Sequence, residues 1–186
     1  MTPPSPLFSL IGGIEDQCYT LNMEQGSWSY LTKISRRVHA ASAELNGKLY
    51  IIGGYYGGAF SDMEIIDING GVTYGKDMPS ARNRHCAVSL PDTGKILIMG
   101  GFPSANHRST IMYDPVTDSY DETLPSLNYN RIYSGCTLFY SQHHGGRPVV
   151  LAAGGSSQSA AELYDFTTAN AAWTPSKISF VYLTCA

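Results

Sequence analysis

The residues best able to do chemistry in this sequence are its arginines. Arg36, Arg37, Arg82, Arg84, Arg108, Arg131 and Arg147 make up seven of the twelve basic residues, and a guanidinium offers a planar fork of donors that takes a carboxylate or phosphate bidentately. Aromatic side chains stand close by in the chain: Tyr55, Tyr56, Phe102, Tyr129 and Tyr133, the kind of body that protein contacts use. Arg36, Arg82 and Arg131 read as matching positions of a repeat, where the same guanidinium would tie a turn to its neighbour. Arg84 and Arg108 depart from the repeat and are the stronger ligand candidates. His39 and His85 read as matching positions on successive strands, but no Cys, Asp or Glu is spaced to complete a tetrahedral metal site with them. They are expected to pack or to anchor turns, and His143 and His144 to lie in a solvated loop. Cys18, Cys86, Cys136 and Cys185 show no CxxC spacing, which excludes a zinc knuckle or a thioredoxin-like pair and points to reduced thiols. Cys86 and Cys136 read as small buried apolar residues. No G-x-S-x-G, Walker loop or H-E-x-x-H occurs.

Composition sets what must position these groups. With 186 residues, 43% of them hydrophobic, the chain has the material for one domain with a packed core. Only 15% of residues are charged, while 19 Gly, 13 Tyr and 10 Pro favour turns and aromatic strands over helices. A net charge of -3 provides no basic field for nucleic acid or an anionic membrane. The start, MTPPSPLFSLIGG, lacks a basic n-region and its apolar stretch is short, so it does not read as a signal peptide; residues 1–6 read as a Pro-rich lead. The longest apolar runs, Ile96 to Met99 and Val149 to Ala153, are strand-sized, and no membrane-spanning segment is expected. The expected location is the cytoplasm, with the nucleus as the alternative.

A repeat emerges from the glycine pairs. An apolar run ends in Gly-Gly four times: LFSLIGG at Gly12 and Gly13, KLYIIGG at Gly53 and Gly54, KILIMGG at Gly100 and Gly101, and VVLAAGG at Gly154 and Gly155. The first glycines stand at 12, 53, 100 and 154, so the intervals are 41, 47 and 54 residues. A second landmark follows each pair, at Tyr19, Ile66-Asp67, Tyr113-Asp114 and Tyr164-Asp165. A third comes seven to nine residues later, at Trp28, Tyr74, Tyr120 and Trp173, after a turn such as Asp114-Pro-Val-Thr-Asp118. A Pro- or Arg-bearing turn then leads into the next strand. Four short strands per period, with no sustained 3.6-residue pattern, are what a propeller blade requires. The glycines permit positive φ and close backbone approach, and the aromatics supply bodies that pack between blades.

The Gly-Gly, Tyr-Asp, Trp and Pro/Arg order resembles the kelch family, whose repeats run to roughly 50 residues. The resemblance covers Leu7 to about Trp173, and the Trp-Asp and Gly-His pairs of WD40 blades do not occur. It implies an all-β, kelch-type β-propeller of four-stranded antiparallel blades, as one domain over 7–186. The repeats fall at about 7–36, 37–82, 83–131 and 132–177, with a closing strand over 178–185 that completes the first blade. Four visible blades leave three readings open: a compact ring, part of a larger ring, or a ring completed by another chain, with self-association in the last two cases.

In kelch propellers the loops that carry Arg36, Arg37, Arg82, Arg84, Arg108 and Arg131 open on one face, so the resemblance implies an Arg-rich face, with Tyr55 and Tyr133 beside it. Its expected partner is an acidic or phosphorylated segment of another protein. Kelch substrate adaptors of cullin ubiquitin ligases use this face in that way; actin binding is the alternative, and the BTB and BACK segments of self-sufficient adaptors are missing from the chain. Thiol sensing is conceivable for Cys86 and Cys136 in this family. A degenerate enzyme related to galactose oxidase is the third reading, suggested by the stretch Arg82 to Gly101. That enzyme's ligand-bearing extra domain and Cys–Tyr cross-link have no counterpart, so no catalytic residue, metal or cofactor is assigned.

Overall fold

The computed structural model describes residues 8–11, 16–156 and 159–179, and places fifteen strands in them. They form four separate antiparallel sheets in which each strand pairs with its sequence neighbour. The first sheet holds β1 (Phe8–Ile11), β2 (Gln17–Asn22) and β3 (Ser27–Lys33). The second holds β4 (Ala41–Leu45), β5 (Lys48–Ile52), β6 (Met63–Asp67) and β7 (Val72–Gly75). The third holds β8 (Cys86–Leu90), β9 (Lys95–Met99), β10 (Thr110–Asp114) and β11 (Ser119–Asp121). The fourth holds β12 (Gly135–Ser141), β13 (Arg147–Ala153), β14 (Ala160–Tyr164) and β15 (Trp173–Ser179). The opening strands β4, β8 and β12 lie side by side, so the sheets are successive blades.

The continuous apolar runs that end in glycine at Gly53, Gly100 and Gly154 are the second strands of their sheets, and β5 and β9 are buried on both faces because a neighbouring blade covers each side. One cluster joins Cys18 and Ile34 of the first unit to Ile51 and Ile66 of the second. The next joins Leu45, Tyr50, Ile52 and Met63 to Ile96, Ile98, Ile111 and Tyr113. The third joins Leu90, Leu97 and Met99 to Val150, Ala152, Tyr164 and Trp173. Neighbouring residues on one strand, such as Ile96 and Leu97, thus serve different interfaces. The glycines that follow allow the backbones to touch: Gly53 has φ +57, and a Cβ there would stand 2.5 Å from the Arg82 carbonyl oxygen. Gly100 repeats this against Arg131 at 2.6 Å. Gly12 and Gly13 lie outside the described residues.

The aspartate of each Tyr-Asp landmark closes the following turn. Asp67 accepts from the Asn69 and Gly71 amides, Asp114 from Val116, and Asp165 from Thr167. Tyr164 lies opposite Trp173 and stacks on it with centroids 5.1 Å apart. Tyr113 similarly lies opposite Tyr120. In the second blade this place is taken by Ile66 and Val72, while Tyr74 pairs with Glu64 and is 68% exposed. Tyr74 is therefore displaced by two residues from the landmark assigned to it.

Trp28 also departs from its expected packing. It is 50% exposed, Tyr30 is 54% exposed, and Tyr19 meets Tyr30 edge-on at 6.0 Å. These rings lie on the face of the first blade turned away from the second, whereas Cys18, on the facing side, is fully buried. The closing strand expected over 178–185 is also changed: Ile178 and Ser179 belong to β15, the outer strand of the fourth blade. Residues 180–185 lie outside the described residues.

Candidate functional site

The turns that enter the second, third and fourth blades each carry a buried arginine at one position, and the chemistry around it differs from blade to blade. Arg37 donates bidentately to Asp62 at 3.1 and 2.8 Å, to Glu64 at 2.8 Å and to the Gly53 carbonyl at 2.9 Å. Arg131 donates to Glu162 at 2.9 Å and to the carbonyls of Gly154 and Ala160. Arg82 makes only long contacts, to Gly100 O and Ser80 Oγ at 3.4 Å and to Ser109 Oγ at 3.3 Å. Register explains the contrast. Glu64, Ile111 and Glu162 occupy one position of β6, β10 and β14, so the third blade has isoleucine where the others have a carboxylate. The Arg82 Nε has no partner, and burial lowers its pKa to about 10. Arg37, Arg82 and Arg131 are all nearly inaccessible, so the structure removes them from the expected partner-binding face and makes them ties between turn and blade. The repeat position belongs to Arg37 and not to Arg36, which is exposed.

Two residues beyond each buried arginine the chain takes a left-handed conformation. His39, Arg84 and Tyr133 have φ of 58, 57 and 59°, which is uncommon for residues with large side chains. Their backbones are linked in sequence: the Arg84 amide donates to His39 O at 2.8 Å, and the Tyr133 amide to Arg84 O at 2.9 Å. His39 thus matches Arg84 and Tyr133, and not His85 as the strand pattern suggested. His85 is one residue further on and buried.

The three side chains meet. The Arg84 guanidinium lies over the Tyr133 ring at 5.1 Å and near the Phe102 ring at 5.8 Å, while His39 meets Tyr133 edge-on at 5.2 Å. Contacts of this kind between a cation and aromatic faces hold the guanidinium without neutralising it. Arg84 has no carboxylate partner among the described residues, and its Nε has no hydrogen-bond acceptor. Phe102, Tyr133 and Tyr55 remain 44%, 39% and 45% exposed. Arg108 is exposed and its Nε donates to the Leu127 carbonyl. Tyr129 lies against the buried Arg131 at 5.8 Å and is not part of this group. The arrangement is one framed cation with an aromatic collar, not a ring of free guanidiniums. Among the described residues, no three His, Cys, Asp or Glu side chains come together as a metal site, and no helix is long and apolar enough to cross a membrane.

The four sheets, their neighbour-to-neighbour order and the interfaces between them define blades of a β-propeller. Among solved structures, one described as the structure of YjhT has a TM-score of 0.70 and 16% identity. The likeness covers 92% of this chain but only 65% of that one, and at this identity it shows the fold alone. No curated protein matches the chain. Residues 36–71, from the buried Arg37 turn through β6, match the family model described as the Kelch motif. The chain is thus similar to the Kelch motif over residues 36–71, and its described residues build four blades of a β-propeller, the first of them three-stranded.

Proposed function

We propose that this module acts by binding, and that its face holds an acidic or phosphorylated segment of another protein through Arg84. The observation that carries this is the guanidinium set between Phe102 and Tyr133 with no acidic partner among the described residues. Two rings fix its plane, so an incoming carboxylate or phosphate meets a preformed fork, and apolar groups beside the acid gain contact with the exposed aromatics. Arg108 supplies a second positive charge from the same loop as Phe102. Substrate recognition for a cullin ubiquitin ligase is the wider role this chemistry suits best.

Arrays of peptides bearing a single Asp, Glu or phosphoserine, read by fluorescence anisotropy, test the reading. Arg84→Asn is the informative variant, because Asn tolerates the left-handed backbone while removing the guanidinium. Loss of a charged hydrogen-bonding pair predicts affinity weaker by roughly 10- to 100-fold, with the melting temperature nearly unchanged. The Arg84→Glu/Arg108→Glu double variant should abolish binding. Retention of binding in Arg84→Asn, or a large fall in its melting temperature, would reject the assignment.

A further inference from the structure

The expectation of reduced thiols fails at Cys86 and Cys136, whose sulfurs are bonded to each other across the third and fourth blades. Cys86 opens β8 and Cys136 is the second residue of β12, neighbouring strands with Cα atoms 6.1 Å apart at this pair. In sequence both read as small buried apolar residues; only the packing of the blades brings their two strands together. Cys18, the other described cysteine, is fully buried, and burial raises its thiol pKa, so it is no ready exchange partner.

The bond lies beside the candidate site. Arg84 stands two residues before Cys86, and Tyr133 three residues before Cys136. Between them the described links are the Tyr133 amide to Arg84 O hydrogen bond and the stacking of the guanidinium on the Tyr133 ring. The second and third blades have no covalent counterpart: the position of Cys86 is Ala41 in β4, and a hydrogen bond from Ser89 Oγ to the Glu44 carbonyl spans those strands instead. Both cysteines are only partly buried.

We infer that Cys86 and Cys136 form a reversible redox clasp that holds the Arg84–Tyr133 pair in register and is opened by small thiols such as glutathione. The exchange is a two-electron reduction. A thiolate attacks one sulfur and breaks the Sγ–Sγ bond, giving a mixed disulfide and a cysteine thiolate that takes up a proton. A second thiol attacks the mixed disulfide, releases the other cysteine, and leaves joined to the first as a disulfide. Opening the clasp leaves the stacked pair held only by non-covalent contacts, which lowers the population of the preformed fork. The consequence for binding rests on the function proposed above; the chemistry and the local loosening do not.

Three measurements on the whole chain separate these claims. Thiol labelling with mass spectrometry in glutathione buffers of graded ratio should find Cys86 and Cys136 oxidised and reduced as a pair, with Cys18 unlabelled. Hydrogen exchange of the Tyr133 amide should quicken at least about tenfold on reduction, a change typical of coupled sites, while the Ile51 amide in β5 stays unchanged. The Cys86→Ser/Cys136→Ser variant should exchange like the reduced protein and ignore reductant; if it does not fold, reduction of the native chain alone provides the comparison. Equal Tyr133 exchange in the oxidised and reduced states would overturn the clasp, as would equal quickening at Ile51. Failure of every acidic peptide to bind, with the exchange difference intact, would overturn only the function proposed above. Peptide affinity unaffected by reduction, with binding still dependent on Arg84, would overturn the control of binding.

Discussion

Arg131→Met should destabilise the protein by about 3–5 kcal/mol, and Arg37→Met similarly, whereas Arg82→Met should change stability by less than about 1 kcal/mol or raise it. All three side chains are buried at one repeat position, so burial alone predicts equal costs. The carboxylates decide otherwise. Removing Arg131 leaves Glu162, itself fully buried, with only the Asn128 amide and side-chain donors to face its charge. Removing Arg37 leaves Glu64 buried and Asp62 partly so. Removing Arg82 strands no carboxylate, because Ile111 stands where the other blades have glutamate. Methionine there would eliminate a buried cation with three long contacts to neutral oxygens and an unpartnered Nε. Urea unfolding of the three variants checks this, and equal losses in all three would refute it. Ile111→Glu offers the converse, since a carboxylate at that position gives Arg82 the partner its counterparts have; combining it with Arg82→Met should then be costly.

The protein should also lose stability steadily as pH falls from about 6.5 toward 4, and His85 should account for that window. Burial, together with the neighbouring Arg82 charge, lowers the His85 pKa to about 3. Neither ring nitrogen has a hydrogen-bond partner, although the Ile52 backbone is near enough to oppose the shift slightly. In the folded protein the ring therefore stays neutral, while in the unfolded chain it binds a proton below its ordinary value of 6.5. The unfolded state thus takes up more protons as pH falls. The stability conferred by the neutral ring is fully present above 6.5, declines below it, and is lost by the time pH reaches about 3. Each pH unit inside that window costs up to about 1.4 kcal/mol.

Asp114, Asp118 and Asp121 are held below the usual carboxylate range, by the Val116 amide, the Lys76 amide and the Thr123 hydroxyl respectively. Their contributions are present above the ordinary value of 3.8 and fade below it. The interval from pH 6 to 4 accordingly belongs mainly to His85. Over it, His85→Leu should gain on the native chain by roughly 2–3 kcal/mol in urea titrations. Parallel pH profiles for the two proteins would assign the effect to other groups.

Most of the blade pattern was readable from residue order. KLYIIGG and KILIMGG are continuous apolar runs ending in glycine, and such runs must be strands covered on both faces. The Tyr-Asp landmarks carry their own turn chemistry in the aspartate side chain, so the turn after each was equally legible. The arginine network was legible too, through a signal easily overlooked. Three residues before each Tyr-Asp aspartate, or its Ile-Asp equivalent, stand Glu64, Ile111 and Glu162, and they separate the paired arginines from the unpaired one. The row of His39, Arg84 and Tyr133 could have been found by counting two residues on from Arg37, Arg82 and Arg131 instead of aligning histidine with histidine.

By itself the sequence determined the all-β class, the repeat and the places where strands and turns fall, because those depend on local periodicity, glycine conformation and side-chain hydrogen bonds within a few residues. Tertiary structure decided which arginines were buried, which aromatic rings stayed exposed, and that Cys86 and Cys136 meet. The carboxylates that hold Arg37 and Arg131 come from a strand 27 and 31 residues further on in the blade that each turn enters, and the sulfur that meets Cys86 comes from the neighbouring blade 50 residues away. The seven arginines therefore differ in role for a reason outside their own segments: the blade that each turn enters fixes three in place, and Arg84 is held by rings that leave its charge available.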